Sequence, residues 1–420
     1  MKVTEYNMNA YNLHVIKTDK FKTVTVGVAF LRKVKKEEIT IRNLLKELML
    51  NATASYPSEK QLIIETEELY DLKLVSQNYR IGNDSILTFK TRFLHEDFTE
   101  EGMNEESIKF LFDVIFNPKL DIDLEKCKEK IRKSILSLSD NKIKYSLTKL
   151  LEKTEDMPYS YNSYGYLEDL DKITYEDILE YYNSVIKNDI VDCYVVGNVN
   201  PEEIKNIFRE NFKLKIFHKE NINIIAPELK VGSKVLEYRE KFNVNQTQLD
   251  ILCACNNLTD RERKYVLPLF GEMLGGSANS ILFDKVREKN SYAYYVNAIV
   301  KSYDNFVLIY SGIEKGNEKN VYKIITSELK NISKGNFPED KFNSAKETIL
   351  TAIKCDFDTP MGIISHYYAK RLVGSPDIEE RLKNVSKVTK EDIVNVMKKI
   401  KIHSVYILED NDEKDNHKDS

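Results

Sequence analysis

GEMLGGSANSILFDKVREKNSYAYYVNAIVKSYDNFVLIYSGI, residues 271–313, is the stretch whose reading decides the fold. It reads as the end of one helix, a Gly-Gly turn, a second helix and two strands. Gly275-Gly276 are expected to stop the first helix by entering the left-handed conformation that closes helices. From Ser280 to Lys289, residues Ile281, Leu282, Lys285 and Val286 recur at helical spacing, with Arg287 just before the end. Tyr292 to Ile299 is aromatic and β-branched, as a strand should be. Strand alternation puts Tyr292 and Tyr294 on one face and Tyr295 on the other, as a packing residue. Arg287 and Tyr294 thus flank one turn on rigid elements. A cation and a phenol so held can donate hydrogen bonds to one acceptor, such as a peptide carbonyl.

Working outward, the stretch is preceded by strands near 234–242 and 246–256 and a helix near 260–274. It is followed by helices near 316–334, 338–357, 360–372, 378–385 and 389–399, and by a strand at 404–409. The first half of the chain repeats this order. Strands are expected near 10–17 and 21–33 and a helix over 37–54, with Ile41, Leu44, Leu45, Leu48 and Met49 on one stripe. After Tyr56-Pro57, Ser58 with Gln61 reads as a capping box opening a second helix. Strands near 72–81 and 85–94 follow, then helices near 104–116, 122–154 and 175–188, with Thr174 and Asp177 as another capping box. A strand at 190–198 and a closing helix at 201–211 end the half. The segment LLKELMLNATASYPSEKQLIIETEELYDLKLVSQNYR corresponds to LPLFGEMLGGSANSILFDKVREKNSYAYYVNAIV. A period near 210 residues is a duplicated domain, not a solenoid. The expected class is α+β: two homologous domains, each a largely antiparallel sheet covered by helices on one face. The expected boundaries are 1–213, a Lys-, Ile- and Asn-rich linker at 214–232, a second domain at 233–409, and a charged, disordered tail at 410–420.

Composition excludes several classes. The formal charge of −4 over 420 residues, with no basic stripe, argues against nucleic acid. No apolar run approaches the ~20 residues of a membrane helix, and the start lacks the order of a signal peptide. A cytoplasmic protein is expected. The five cysteines are odd in number and scattered, and read as thiols of a reducing compartment rather than a metal site.

With both halves in view, the chain resembles the M16 metallopeptidases, the family of insulin-degrading enzyme, pitrilysin and mitochondrial processing peptidase. LGGSANSILFDKVREKNSYAYYV is similar to the family's Gly-rich turn, helix and R/Y pair, which puts Arg287 and Tyr294 at the substrate-binding positions. LLKELMLNATASYPSEKQL falls where active members carry H-x-x-E-H. There the histidine positions hold Leu44 and Leu48, and Glu47 stands at the general-base position. The third-ligand position falls near Lys133 or Ser134. The resemblance therefore implies no zinc in this chain, and an Arg/Tyr-type subunit closest to the bacterial YmfF-like subgroup. It implies a heterodimer whose H-x-x-E-H partner carries the zinc, while Arg287 and Tyr294 serve a shared site that processes peptides or proteins. The other function the resemblance allows is a catalytically inactive peptide-binding or scaffold protein on an M16 shell.

Overall fold

The computed structural model describes residues 1–214, 222 and 224–411; most of the tail and the middle of the expected linker lie outside them. The first half supplies β1 (Lys2–Asn7), β2 (Asn12–Lys17), β3 (Thr23–Lys33), β4 (Lys73–Ile81), β5 (Asp84–Leu94) and β6 (Ile190–Gly197). Between β3 and β4 lie α1 (Ile39–Met49) and α2 (Glu59–Glu68). Between β5 and β6 lie α3 (Met103–Phe116), α4 (Leu124–Leu136), α5 (Lys142–Glu152), α6 (Leu167–Leu170) and α7 (Tyr175–Asn188), and α8 (Pro201–Asn211) follows β6. The second half supplies β7 (Leu236–Phe242), β8 (Thr247–Cys255), β9 (Ala293–Lys301), β10 (Phe306–Ile313) and β11 (Ile400–Asp410). Between β8 and β9, α9 (Leu267–Gly271) is flanked by wide π-type turns at Glu262–Val266 and Glu272–Gly276, and a third such segment spans Phe283–Glu288. After β10 come α10 (Glu318–Ser333), α11 (Glu339–Asp356), α12 (Pro360–Val373), α13 (Ile378–Ser386) and α14 (Lys390–Lys399).

The strands form two sheets, ordered β1-β2-β6-β3-β5-β4 and β7-β11-β8-β10-β9. Apart from β1, the two orders superpose strand for strand. Each has one parallel pair, β2–β6 in the first and β7–β11 in the second, within an otherwise antiparallel sheet. This is the duplicated α+β architecture expected from the sequence. The strand β1 was not anticipated; it is a polar, largely exposed edge that adds to β2.

The compact units are not contiguous halves. One consists of 1–136, 162–224 and 356–374, the other of 137–161, 225–355 and 375–420. The single helix expected over 122–154 is broken at Ser137–Asp140, and Asn141 caps the new start by accepting from the Lys144 amide at 3.0 Å. This break sends α5 onto β8 and β11, while its counterpart α12 packs on β3 and β6. Each sheet therefore carries one helix on the face opposite its main helical layer. Thr359 caps α12, with Pro360 at its first position.

In the first unit, Val26, Val28, Phe30, Phe89 and Cys193 bury against Leu44, Leu45 and Leu48 of α1 and a set of side chains from α3 and α8. Each fully buried leucine contributes roughly 2 kcal/mol. Helix α1 is pinned by Arg42, which is 3% exposed and donates to the Asp189 carboxylate at 3.1 Å, the Phe30 carbonyl at 3.0 Å and the Tyr181 hydroxyl at 3.2 Å. Asp189 also takes the Arg32 Nε at 2.5 Å, so this buried carboxylate is doubly paired. The helix stops at Met49, short of the expected 54. The Ser58 side chain accepts from the Gln61 amide, and Thr174 with Asp177 forms the full capping box. Cys127, Cys193, Cys253 and Cys255 are buried and Cys355 is exposed, all as free thiols.

Candidate functional site

The helix ahead of the site is set against the sheet by glycines. A side-chain carbon at Gly271 would stand 2.2 Å from the Val300 side chain, and one at Gly275 would stand 2.7 Å from the Ala298 backbone nitrogen. Only glycine lets the helix come this close to β9. Gly275 has φ −160° and ψ 19°, extended backbone rather than left-handed. The expected left-handed stop at Gly275-Gly276 is therefore corrected: close approach, not positive φ, requires the glycine at 275.

The next helical segment ends in a tight turn. The Ser291 amide donates to the Arg287 carbonyl at 2.9 Å, the Tyr292 amide to the Val286 carbonyl at 3.1 Å, and Ser291 itself adopts φ 54°. Val286 is buried in the second unit's core, and Arg287 beside it points to solvent. Its guanidinium lies 4.8 Å from the Phe283 ring centroid, one turn back. This cation–π contact orients the side chain without using its donors. The i, i+4 spacing of Phe283 and Arg287 is the sequence signal of this contact.

Tyr294 is placed by an irregularity of the strand. Gly312 pairs with Tyr295 and Ile313 with Ala293, so Tyr294 is the extra residue of a β-bulge. The alternation expected from Tyr292 onward is broken here, and the Tyr294 ring is 54% exposed. Tyr292 lies before the strand and packs partly on the core. Tyr295 is a packing residue, as expected: its hydroxyl donates to the Gln248 Oε1 and its ring meets Tyr310 at 6.2 Å. Neither Arg287 nor Tyr294 makes a hydrogen bond or ion pair with any described residue. Both keep their donors available beside β9, which is an outer strand of its sheet.

The α1 positions at which the resemblance expects zinc ligands are closed. Leu44 and Leu48 are 0% exposed within the core and carry no donor atom. Glu47 lies in the last turn of α1 with its carboxylate 2.9 Å from the Lys46 Nζ. Lys133 and Ser134 on α4 face solvent. These residues do not fit a zinc ion. Among the described residues, no group of three or more His, Cys, Asp or Glu side chains is placed to hold a metal.

The family model for the peptidase M16 inactive domain matches residues 172–349. Over 407 residues the chain is 30% identical to a Bacillus subtilis (strain 168) protein named "Probable inactive metalloprotease YmfF", covering 94% of this chain and 95% of that one. The chain belongs to the M16 peptidase family. Within it, the chain falls in the inactive, YmfF-like subgroup. A crystal structure of a conserved protein from Enterococcus faecalis V583 superposes with a TM-score of 0.90 at 24% identity, covering 98% of this chain and 99% of that one. A Helicobacter pylori protease shares the fold at 13% identity, with a TM-score of 0.81 over 97% and 99% of the two chains. Leu44 and Leu48 are the positions at which the resemblance to M16 peptidases expects zinc ligands. Among the described residues, no helix is long and apolar enough to cross a membrane.

Proposed function

We propose that this M16 chain is the non-zinc subunit of a heterodimeric peptidase and lends Arg287 and Tyr294 to the active site of an H-x-x-E-H partner. One observation carries the reading: two exposed hydrogen-bond donors without hydrogen-bond or ion-pair partners among the described residues stand on ordered elements, in a chain that holds buried leucines where the resemblance expects metal ligands. A site that had lost every role would not be expected to keep a cation and a phenol so displayed. The partner supplies the metal and the water it activates. The substrate is a peptide that adds as a strand to an exposed sheet edge, where main-chain hydrogen bonds hold it without regard to sequence. Arg287 and Tyr294 donate to its scissile carbonyl and to the negative charge that grows on that oxygen. Donors of this kind are typically worth about 3–4 kcal/mol in the transition state.

The test is peptide hydrolysis by this chain alone, by the H-x-x-E-H partner alone and by the two mixed, with zinc content measured for each. Cleavage only by the mixture, with zinc following the partner, is expected. A silent mixture whose chains do not associate would remove the peptidase reading and leave a peptide-binding or scaffold role. The name of the Bacillus relative, an inactive metalloprotease, is compatible with both.

A further inference from the structure

The face of the first sheet that α12 covers holds a cavity of about 580 Å³. That volume is in the range that accommodates a small organic ligand. Its floor is a cross-strand row in which Gly27 of β3 pairs with Lys90 of β5 on one side and Tyr194 of β6 on the other. Because Gly27 has no side chain, the floor stays open, and the Lys90 Cγ lies 3.6 Å from where a Cβ would stand. Ile364 and Tyr368 of α12 line the opposite wall.

Several polar groups of this cavity have no partner among the described residues, the Ser76 hydroxyl and the Asn78 Oδ1 included. Lys90 makes no ion pair or hydrogen bond with any described residue, and its partial burial pulls its pKa down. Tyr194 and Tyr368 are 1% and 5% exposed, and both hydroxyls are buried without a hydrogen-bond partner among the described residues. Their rings meet edge to face at 5.7 Å, which fixes both. Two carboxylates, Asp192 and Asp84, carry charge that reaches Tyr368. Asp192 accepts from the Asn12 side-chain amide at 3.0 Å through Oδ1, which lies 3.5 Å from the Arg371 Nε, while its Oδ2 is buried without a partner among the described residues; Asp84 pairs with Lys33 at 2.9 Å. A half-desolvated cation and buried phenols are costly unless a ligand completes them. An acceptor with negative charge answers the lysine, and an apolar body answers the aliphatic and aromatic walls.

We propose that the cavity formed by the Lys90–Gly27–Tyr194 row and Tyr368 of α12 binds a carboxylate carried on an apolar body, with Lys90 as its counter-ion. Lys46 of α1 also lines the cavity, with its ammonium paired to Glu47; the site uses neither Arg287 nor Tyr294 and is independent of that reading. The carboxylate could belong to a free small acid or to the C-terminus of a peptide ending in an aromatic residue, and the probes separate these sources.

Calorimetric titration of the full chain with 4-phenylbutyrate, with its amide 4-phenylbutyramide, and with acetyl-Gly-Phe tests it. At least one of the two carboxylates is expected to bind at least tenfold more tightly than the amide, and the tighter of the two identifies the source. Lys90→Met, which keeps the aliphatic stem, should remove that preference, and Ala369→Phe, which fills the cavity, should abolish binding. Circular dichroism melts establish that both variants fold. Equal binding of acid and amide, no binding of either carboxylate at millimolar concentration, or undiminished binding to folded Lys90→Met would each overturn the proposal.

Discussion

Helix α1 and the Arg287–Tyr294 turn occupy neighbouring stations of the duplicated pattern, yet they treat polar chemistry in opposite ways. On α1, Leu44 and Leu48, where the resemblance expects zinc ligands, have no exposure, and the helix is locked from beneath by Arg42 and the doubly paired Asp189. At the turn, the backbone is just as tightly held, by glycine contacts, a bulge and a left-handed Ser291, but two donors face outward. One region holds packed core where the resemblance expects metal ligands. The other keeps a chemical surface on a rigid base. Rigidity alone therefore does not report function; the direction in which the polar groups point does.

Restoring histidines on α1 should break the fold before it restores chemistry. Leu44→His with Leu48→His places two polar rings in a filled core and should cost about 5 kcal/mol or more. No stoichiometric zinc is expected, because Lys133 and Ser134 supply no third ligand. Chemical denaturation and metal analysis check both points, and a stable variant holding one zinc would erase the contrast.

The layer beneath the hairpin is sensitive to pH. Asp250 lies on β8 opposite Tyr310, and full burial pushes its carboxyl up to about 7, against a hydrogen bond from Ser146 that pulls it down. Unfolded, the same carboxyl titrates near 4. Its contribution to stability is therefore full below about pH 4, is lost as pH rises toward 7, and stays lost above that. Asp250→Asn should be nearly neutral at pH 4 and should stabilise by up to about 3 kcal/mol at pH 8. Thermal melts at the two pH values read the difference.

Gly275→Ala should cost about 1–3 kcal/mol, because the new methyl meets the Ala298 backbone, which cannot move without disturbing β9. The smallest effect on stability belongs to Arg287→Ala. With no hydrogen bond or ion pair to lose, it should stay within about 0.5 kcal/mol of the parent. A loss of several kcal/mol would make Arg287 a structural residue like Arg42.

Much of this contrast was legible in the sequence. The repeated order of strands and helices, the caps at Ser58 and Thr174, the apolar stripe through Leu44 and Leu48, and the Arg287–Tyr294 spacing all rest on local pattern. What was missed depends on distant partners. A continuous amphipathic stripe over 122–154 hides the break at Ser137–Asp140, because the face that α5 buries belongs to β8 and β11 rather than to its own half. The bulge at Tyr294 depends on how β10 pairs, and the need for glycine at 275 depends on Ala298. The cavity over Gly27 has no local sign, since its walls come from β3, β5, β6 and a helix more than 160 residues further along the chain.

The most direct measurement is kcat/KM for peptide hydrolysis by the reconstituted pair, with wild-type chain and with Arg287→Ala, at matched zinc content and matched association. The account predicts a fall of at least tenfold in the variant, with folding and partner binding unchanged. Undiminished turnover would contradict it and would leave the exposed arginine without a part in the chemistry.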